Sequence, residues 1–448
     1  MAASFRPLRL AKYLPELGYD VWVLTATPGA YPRDRLDHDL TAEVPASVRV
    51  KRLPNPNPLM WYESRSFGRR LAPPEAVIPR RNDEESAFRN AGSMLNSRFL
   101  AALEMTYPLR SVKSLLAELA KFPDADAPWV AASIIPALYL VNRHRIDVIY
   151  TSAPPFGAHL LGLALKRITG RPWIAQYGNP WTANPCISWK HDSFRRGCER
   201  LDRAIVRHAD AILVLDEILA ECIADLGRAS GVHVHPNGFD PEHFAPTEPP
   251  TGPFTITYAG SLYNMHDPRV IYEALALIER DSPEARAEMR IVFAGPPESD
   301  PMRAGAPPDL VFTGPLRHSA LARLLGESHV LLDFLTASSG QKFTVPCKLY
   351  EYMAARRPVL AVTPEGPMAD EVRRLKLGRV VSCDDPAAVA RAMMAFYSEY
   401  KAGTLRIPDS PLIEEYSAPN LVREFSRIVD EVCAGGRHEG SGVFGGVR

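Results

Sequence analysis

Three residues late in the chain have the types and spacing to act on a phosphorylated ligand. In Gln341–Val362, read as QKFTVPCKLYEYMAARRPVLAV, Cys347 follows a proline, Lys348 comes next, and Glu351 stands three positions on. Residues three apart share a helix face, so Lys348 and Glu351 would project together. A helix that starts at Cys347 offers unpaired N–H groups and the positive end of its dipole, which suits a diphosphate. Lys348 would add a mobile positive charge. The two oxygens of Glu351 can accept from the vicinal hydroxyls of a ribose. The competing account is a solvated Lys–Glu pair on an amphipathic helix.

The flanking pattern supplies what must hold these groups. Val330–Leu335 is an apolar run that reads as a buried parallel strand. A loop of small residues, Thr336–Gly340, follows it. Pro346 sits where a helix can start, because its missing N–H has no partner to lose there. Arg356-Arg357-Pro358 ends the helix, and Val359–Val362 begins another strand. Similar units recur from Trp129 onward. Strands are expected at Asp147–Thr151, Pro172–Ala175 and Ala211–Leu215, with helices at Val130–Asn142, Phe156–Thr169, Leu201–His208 and Asp216–Leu226. Later strands, Thr255–Tyr258, Arg290–Ala294 and Leu310–Thr313, each run into a glycine (Gly260, Gly295, Gly314), as if the backbone there lined a ligand rim. Such alternation predicts α/β architecture with parallel sheets covered on both faces, and 448 residues suit two domains.

The stretch PCKLYEYMAARRPVLA resembles the donor-sugar motif of retaining GT-B glycosyltransferases of the family 4 type. The resemblance runs from Ser4 to about Val432 and implies two Rossmann-like, doubly wound domains facing a central cleft. It gives Glu351 the nucleotide ribose, places Gly260 and Ser261 under the donor phosphates, and lets the backbone of Gly314, Pro315 and Arg317 frame the nucleobase. Pro236–Asp240 resembles the PNG-x-D segment ahead of the interdomain linker. The expected division is an acceptor-side domain at 1–245 with an insertion at about 54–127, and a donor-side domain at 246–415. A helix at 416–433 would cross back, and a glycine-rich tail at 434–448 is expected to be disordered.

Four departures stand out. Phe343 replaces the first of the family's two glutamates. The Arg/Lys pair usual after the Gly260 turn is absent, leaving Asn264, His266 and Arg269 as the nearest polar groups. Gln176-Tyr177-Gly178-Asn179-Pro180-Trp181 stands where relatives carry an acidic DxRDPW segment, so both carboxylates have become amides. Met1-Ala2-Ala3 stands where a first strand and glycine-rich turn are usual, from which a truncated start is expected.

In such transferases the leaving diphosphate can itself take the acceptor proton, and the protein stabilises charge and holds the acceptor in line. The resemblance gives the first task to Lys348, the Cys347 helix start and the backbone of Ser338, Ser339 and Gly340. Gln176, Asn179 and the Ser152–Pro155 turn take the second. The expectation is transfer from a nucleotide-diphosphate sugar to a lipid-linked saccharide, polysaccharide or small molecule, without cofactor or metal. Alternatives are a non-catalytic sugar-nucleotide-binding or scaffold protein, and a sugar-nucleotide epimerase.

Composition narrows the field. Zero net charge and a pI near 7.2 give no global attraction to nucleic acid. The six cysteines lack CxxC or metal-ligand spacing, which fits a reducing compartment. With no apolar run of about 18 residues and no signal-peptide core, a cytoplasmic protein is expected. The basic, helix-periodic stretch Met94–Phe122 either lies peripherally on an anionic membrane face or packs on the domain. Asp124-Ala125-Asp126 reads as a solvated loop. The literal GxGxxG at Gly440–Gly445 precedes no helix and is discounted as a dinucleotide fingerprint.

Overall fold

The computed structural model describes residues 2–28, 38–56, 122, 124, 126–184, 187, 189, 191–244, 250–262, 266–297, 300–336 and 345–439. Most of the expected insertion, with its basic stretch, lies outside the described residues, as do the loop 337–344 and the glycine motif at the end.

The first lobe opens with α1 (Ala2–Tyr13), β1 (Trp22–Ala26), α2 (His38–Ala42) and β2 (Arg49–Leu53). It continues through α3 (Ala127–Arg143), β3 (Ile149–Ala153), α4 (Gly157–Thr169), β4 (Trp173–Tyr177), α5 (Asp192–His208), β5 (Ala211–Val214), α6 (Glu217–Asp225) and β6 (Val232–Val234). Strands β3-β4-β5-β6 form one parallel sheet, while β1 and β2 pair with each other. All five residues of β4 are buried, because helices cover both of its faces. Gly162 of α4 lets that helix close on the sheet, since a Cβ there would meet the Trp173 indole at 2.4 Å.

The second lobe is one parallel sheet of β7 (Phe254–Ala259), β8 (Met289–Ala294), β9 (Val311–Gly314), β10 (Val330–Phe334), β11 (Val359–Val362) and β12 (Gly378–Val381). Its order, β9-β8-β7-β10-β11-β12, runs outward in both directions from β7 and β10. That reversal is the doubly wound switch point, where ligands of open α/β sheets bind. Helices α7 (Arg269–Asp281), α8 (Pro283–Ala287), α9 (His318–Gly326), α10 (Cys347–Ala355), α11 (Pro367–Arg374) and α12 (Pro386–Lys401) belong to this lobe. Its core stacks Phe254, Ile256, Phe293, Leu332 and Leu360 against Leu275, Met393 and Phe396.

Helix α13 (Ala418–Glu439) returns to the first lobe, burying Val422, Phe425 and Ile428 against Leu10, Ile174 and Leu213. It continues past the expected end at 433, so residues 434–439 are helical and not part of a loose tail. The two chain crossings between lobes bond to each other: Phe239 N–H donates to Tyr416 O at 2.9 Å and Ala418 N–H to Phe239 O at 2.7 Å. Gly238 is required there, because a Cβ would sit 2.2 Å from Tyr416 O. Helix α5 begins nine residues before the expected Leu201; its first turns are held by exposed Asp192–Arg195, Asp192–Arg196 and Arg195–Glu199 pairs, which hide an apolar period. Among the described residues no helix is long and apolar enough to cross a membrane.

Candidate functional site

At the switch point, the turn after β7 and the start of α10 face α1 of the first lobe. They enclose a cavity of about 190 Å3 lined by Phe5, Arg9, Asn237, Gly260, His318, Cys347, Lys348 and Glu351, among others. Of the sequence-expected donor residues, Gly260, Cys347, Lys348 and Glu351 meet here. Ser338, Ser339 and Gly340 lie outside the described residues, and so do Phe343 and Asn264.

Helix α10 starts at the residue expected. Pro346 precedes it in extended conformation and offers no side-chain cap, so the leading N–H groups have none from that residue. One turn in, Glu351 is mostly buried. Its Oε1 stands 3.7 Å from Arg9 Nη2 and its Oε2 3.7 Å from His318 Nε2, and Oε2 has no hydrogen-bond partner. A carboxylate held between two basic groups, with one oxygen bonded to neither, keeps acceptor capacity for a ligand hydroxyl. Cys347 Sγ accepts from Asn237 Nδ2 at 3.2 Å, and burial pushes its thiol pKa up.

Lys348 is not the mobile cation its position suggested. Its ammonium turns beneath the β7 turn, 3.1 Å from Asp333 Oδ1, and donates to the Tyr258 hydroxyl at 3.1 Å, over whose ring it also lies. Asp333 is fully buried on β10. Burial pushes Lys348 down and Asp333 up, each offset in part by the other. An anion inside the sheet has claimed the lysine, because leaving Asp333 uncompensated there would cost several kcal/mol.

The glycine rim is partly self-made. Gly260, Gly295 and Gly314 all have positive φ, but a Cβ on Gly295 would meet Gly260 O at 2.5 Å. Gly295 N–H donates to Gly314 O at 3.0 Å and Gly260 N–H to Ala294 O at 2.8 Å. Gly295 therefore permits mutual packing, and Gly260 is the one of the three that lines the cavity. Ser261 is exposed, its carbonyl accepting from the Tyr258 hydroxyl. On the loop after β9, Pro315 and Arg317 are exposed, and Arg317 points outward to within 3.6 Å of Asp39. Leu316 and His318, between and beyond them, line the cavity instead.

The two amides assigned to the acceptor separate. Asn179 is exposed beyond β4. Gln176 is 1% exposed, and its Oε1 accepts from the Tyr150 hydroxyl inside the sheet. As a strand residue covered on both sides it cannot reach a cleft ligand in this conformation, and that expectation is corrected. Asp124 is also no solvated loop residue: it accepts from Asp126 N–H at 2.9 Å and from Gly157 N–H, capping α4.

A polar seam behind the cavity joins the lobes. His318 Nε2 lies 2.8 Å from His243 Nδ1, and His243 Nε2 lies 2.8 Å from Glu43 Oε2. Asp240 accepts from Lys12 Nζ and the Tyr13 hydroxyl, both at 2.7 Å. Burial alone would raise the Asp240 pKa, but these donors together hold it below the usual carboxylate range. Glu43, Asp240 and His243 come within metal-ligand reach of one another; Lys12, 2.7 Å from Asp240 Oδ2 and 4.0 Å from Glu43 Oε2, already sets a cation among them. Sequence reasoning missed Arg6, Arg9, His243 and His318, which act across the lobes. The only trace in the sequence was the one-turn spacing of Arg6 and Arg9 on α1.

Comparison with known proteins fits this geometry. Residues 3–238 match the model of the glycosyl transferase 4-like domain, and residues 253–399 match that of glycosyl transferases group 1. No curated protein sequence matches the chain at a significant level. Among solved structures, Anabaena Alr3699/HepE in complex with UDP and glucose superposes with a TM-score of 0.52 at 15% identity, covering 68% of this chain and 82% of that one. The same protein in complex with UDP gives a TM-score of 0.50 at 16% identity, over 68% and 82% of the two chains. At such identity the likeness concerns the fold, which is the two-lobed GT-B arrangement already described. Both lobes match models of one kind, the first over more than half the chain, and the protein therefore belongs to the group 1, family 4-like glycosyltransferases.

Proposed function

We propose that this enzyme transfers a sugar from a nucleoside-diphosphate sugar to an acceptor with retention at the anomeric carbon, in the synthesis of a polysaccharide, glycolipid or envelope saccharide. The observation that carries the reading is the Glu351 carboxylate, one turn into a helix at the switch point and in the lining of the interlobe cavity, with a buried oxygen that has no hydrogen-bond partner. The helix start receives the diphosphate, and Glu351 receives the ribose. That Alr3699/HepE was crystallised with UDP and glucose supports the choice of ligand class. The reading requires no bound metal.

Calorimetry with UDP, ADP, GDP and dTDP tests the site. One of them should bind, and Glu351→Ala should weaken it roughly 10- to 100-fold, the worth of a charged hydrogen-bond pair. Unchanged affinity would remove the ribose from Glu351. Retention is read from the anomeric configuration of the product by NMR, and an inverted product would end that part of the reading. EDTA should leave turnover unchanged.

A further inference from the structure

Arg6 and Arg9 stand one turn apart on α1, each 8% exposed. Among the described residues Arg6 has no carboxylate partner. Its Nη1 donates to Asn237 Oδ1 at 3.1 Å and its Nη2 to Ala153 O at 3.2 Å, both neutral acceptors, and its Nε donates to nothing. Among the described residues Arg9 makes one ion pair, the loose one with Glu351 at 3.7 Å; it also lies over the Phe5 ring, and its Nε is likewise unpaired. Burial pushes the Arg9 guanidinium down, and nearby Arg6 adds to that shift. Among the described residues the two buried guanidiniums thus have one carboxylate within ion-pair distance, with Asp240 acting on Arg9 from further off. Buried charge is costly unless paired, so this arrangement calls for another anion.

The strand ends beside Arg6 do not supply it. Positions 176 and 179 are amides. The guanidinium packs against Gly178, where a Cβ would come within 2.1 Å of Nη2. Through Asn237, in the connection between the lobes, it leads instead to the second lobe's helix start, where its charge is felt by Cys347. Arg6 bonds to Asn237, and Asn237 bonds to Cys347, the first residue of α10. Arg9 faces Glu351, one turn further along α10. The two arginines therefore step along α10 in register, Arg6 level with the free N–H groups and Arg9 level with the carboxylate. Lys348, which might have served there, is held by Asp333.

We propose that Arg6, with Arg9 beside it, neutralises the donor diphosphate from the opposite lobe, and that donor binding hands Glu351 from Arg9 to the ribose. This rests on the donor-site reading above. In the transfer, the bond between the anomeric carbon and the phosphate oxygen breaks, and its electron pair stays on the diphosphate. The acceptor oxygen forms the new bond and its proton passes to that phosphate oxygen. Arg6 stabilises the charge that develops meanwhile. Because the diphosphate then touches α1 and α10 together, donor binding also draws the lobes into one unit.

The test is calorimetry of the full chain with UDP, ADP, GDP and dTDP and with the four matching nucleosides. For the diphosphate that binds, Arg6→Gln should weaken affinity roughly 10- to 100-fold, change that of its nucleoside less than about twofold, and be partly rescued by Arg6→Lys. Should Arg6→Gln not fold, Arg6→Lys and Arg9→Gln carry the same comparison. Equal losses for nucleoside and diphosphate would make Arg6 a purely structural residue and overturn the proposal. So would an unchanged diphosphate affinity with a raised acceptor KM, which would put an acceptor anion on Arg6. If the wild-type protein binds none of the four diphosphates, the donor-site reading itself falls, and this proposal with it.

Discussion

In the second lobe the cation nearest the site, Lys348, is paired with a carboxylate of the sheet; in the first lobe the cations nearest the site, Arg6 and Arg9, bond to no carboxylate of their own lobe among the described residues. Lys348 sits on the helix that forms the donor site yet reaches down to buried Asp333. The two arginines sit on α1 and reach outward, toward the other lobe's Glu351 and toward Asn237 in the connection between lobes. Both kinds of residue are basic and mostly buried beside one cavity. What separates them is the partner: a carboxylate inside the fold makes a lysine structural, and its absence leaves an arginine available to a ligand.

The sharpest way to break that contrast is to remove the lysine. Lys348→Met leaves Asp333 buried and uncompensated, and should cost about 3–5 kcal/mol of stability in urea unfolding. Adding Asp333→Leu should restore most of it, because an apolar pair can replace a buried ion pair at little net cost. If the single substitution instead left stability intact and abolished diphosphate binding, Lys348 would be the donor's cation and the arginines would lose that role.

A second comparison sets two crowded glycines side by side. Gly162 of α4 faces the Trp173 ring, and Gly295 after β8 faces the Gly260 carbonyl with φ +126. Gly162→Ala should cost about 1–3 kcal/mol by overpacking the first lobe's core and leave donor affinity alone. Gly295→Ala should cost a similar amount, about 2–3 kcal/mol from strain and contact, but should also weaken diphosphate binding, because Gly260 lines the cavity and would be displaced. Equal effects on binding would show that the rim glycines serve packing only.

The same contrast explains what could be read from the sequence. The second lobe's site is made of backbone, a helix start after Pro346 and a glycine turn after β7, and both have strong local signals. Cys347–Ala355 and Val359–Val362 accordingly fall where the pattern put them. The first lobe contributes side chains across distances no local pattern records: Arg6 meets Asn237 over 231 positions of chain and Lys12 meets Asp240 over 228. Its described strands also lie in two sheets, and short β2, with little of its surface buried, has no apolar alternation to announce it. Gln176 and Lys348 sit elsewhere than expected for one shared reason. A polar residue near a site looks functional until its buried partner, Tyr150 or Asp333, is known.

The smallest expected effect compares the lobes by acid. His159, at the heart of the first, is fully buried, and burial holds its pKa down to about 3. Its Nδ1 lies 2.8 Å from Thr151 Oγ1, which also accepts from Trp173 Nε1 at 2.9 Å. In the second lobe His266 is held down to about 2, by burial first and by Lys348 second. Each folded pKa is lowered, so the unfolded chain binds the proton first. Stability is intact above about 6.5 and declines as pH falls toward the folded values. Each histidine should cost about 0.7 kcal/mol at pH 6 relative to pH 7, by linkage, and more below. Asp240, whose folded pKa is depressed, adds a further loss only below the unfolded carboxylate value near 3.8. Burial also holds His235 and His329 down, so replacing His159 with Gln should flatten the decline between pH 6.5 and 5 by less than half if the two lobes melt as one unit. If the lobes melt separately, the substitution should flatten one transition and leave the other, and calorimetric scans across that range would show which.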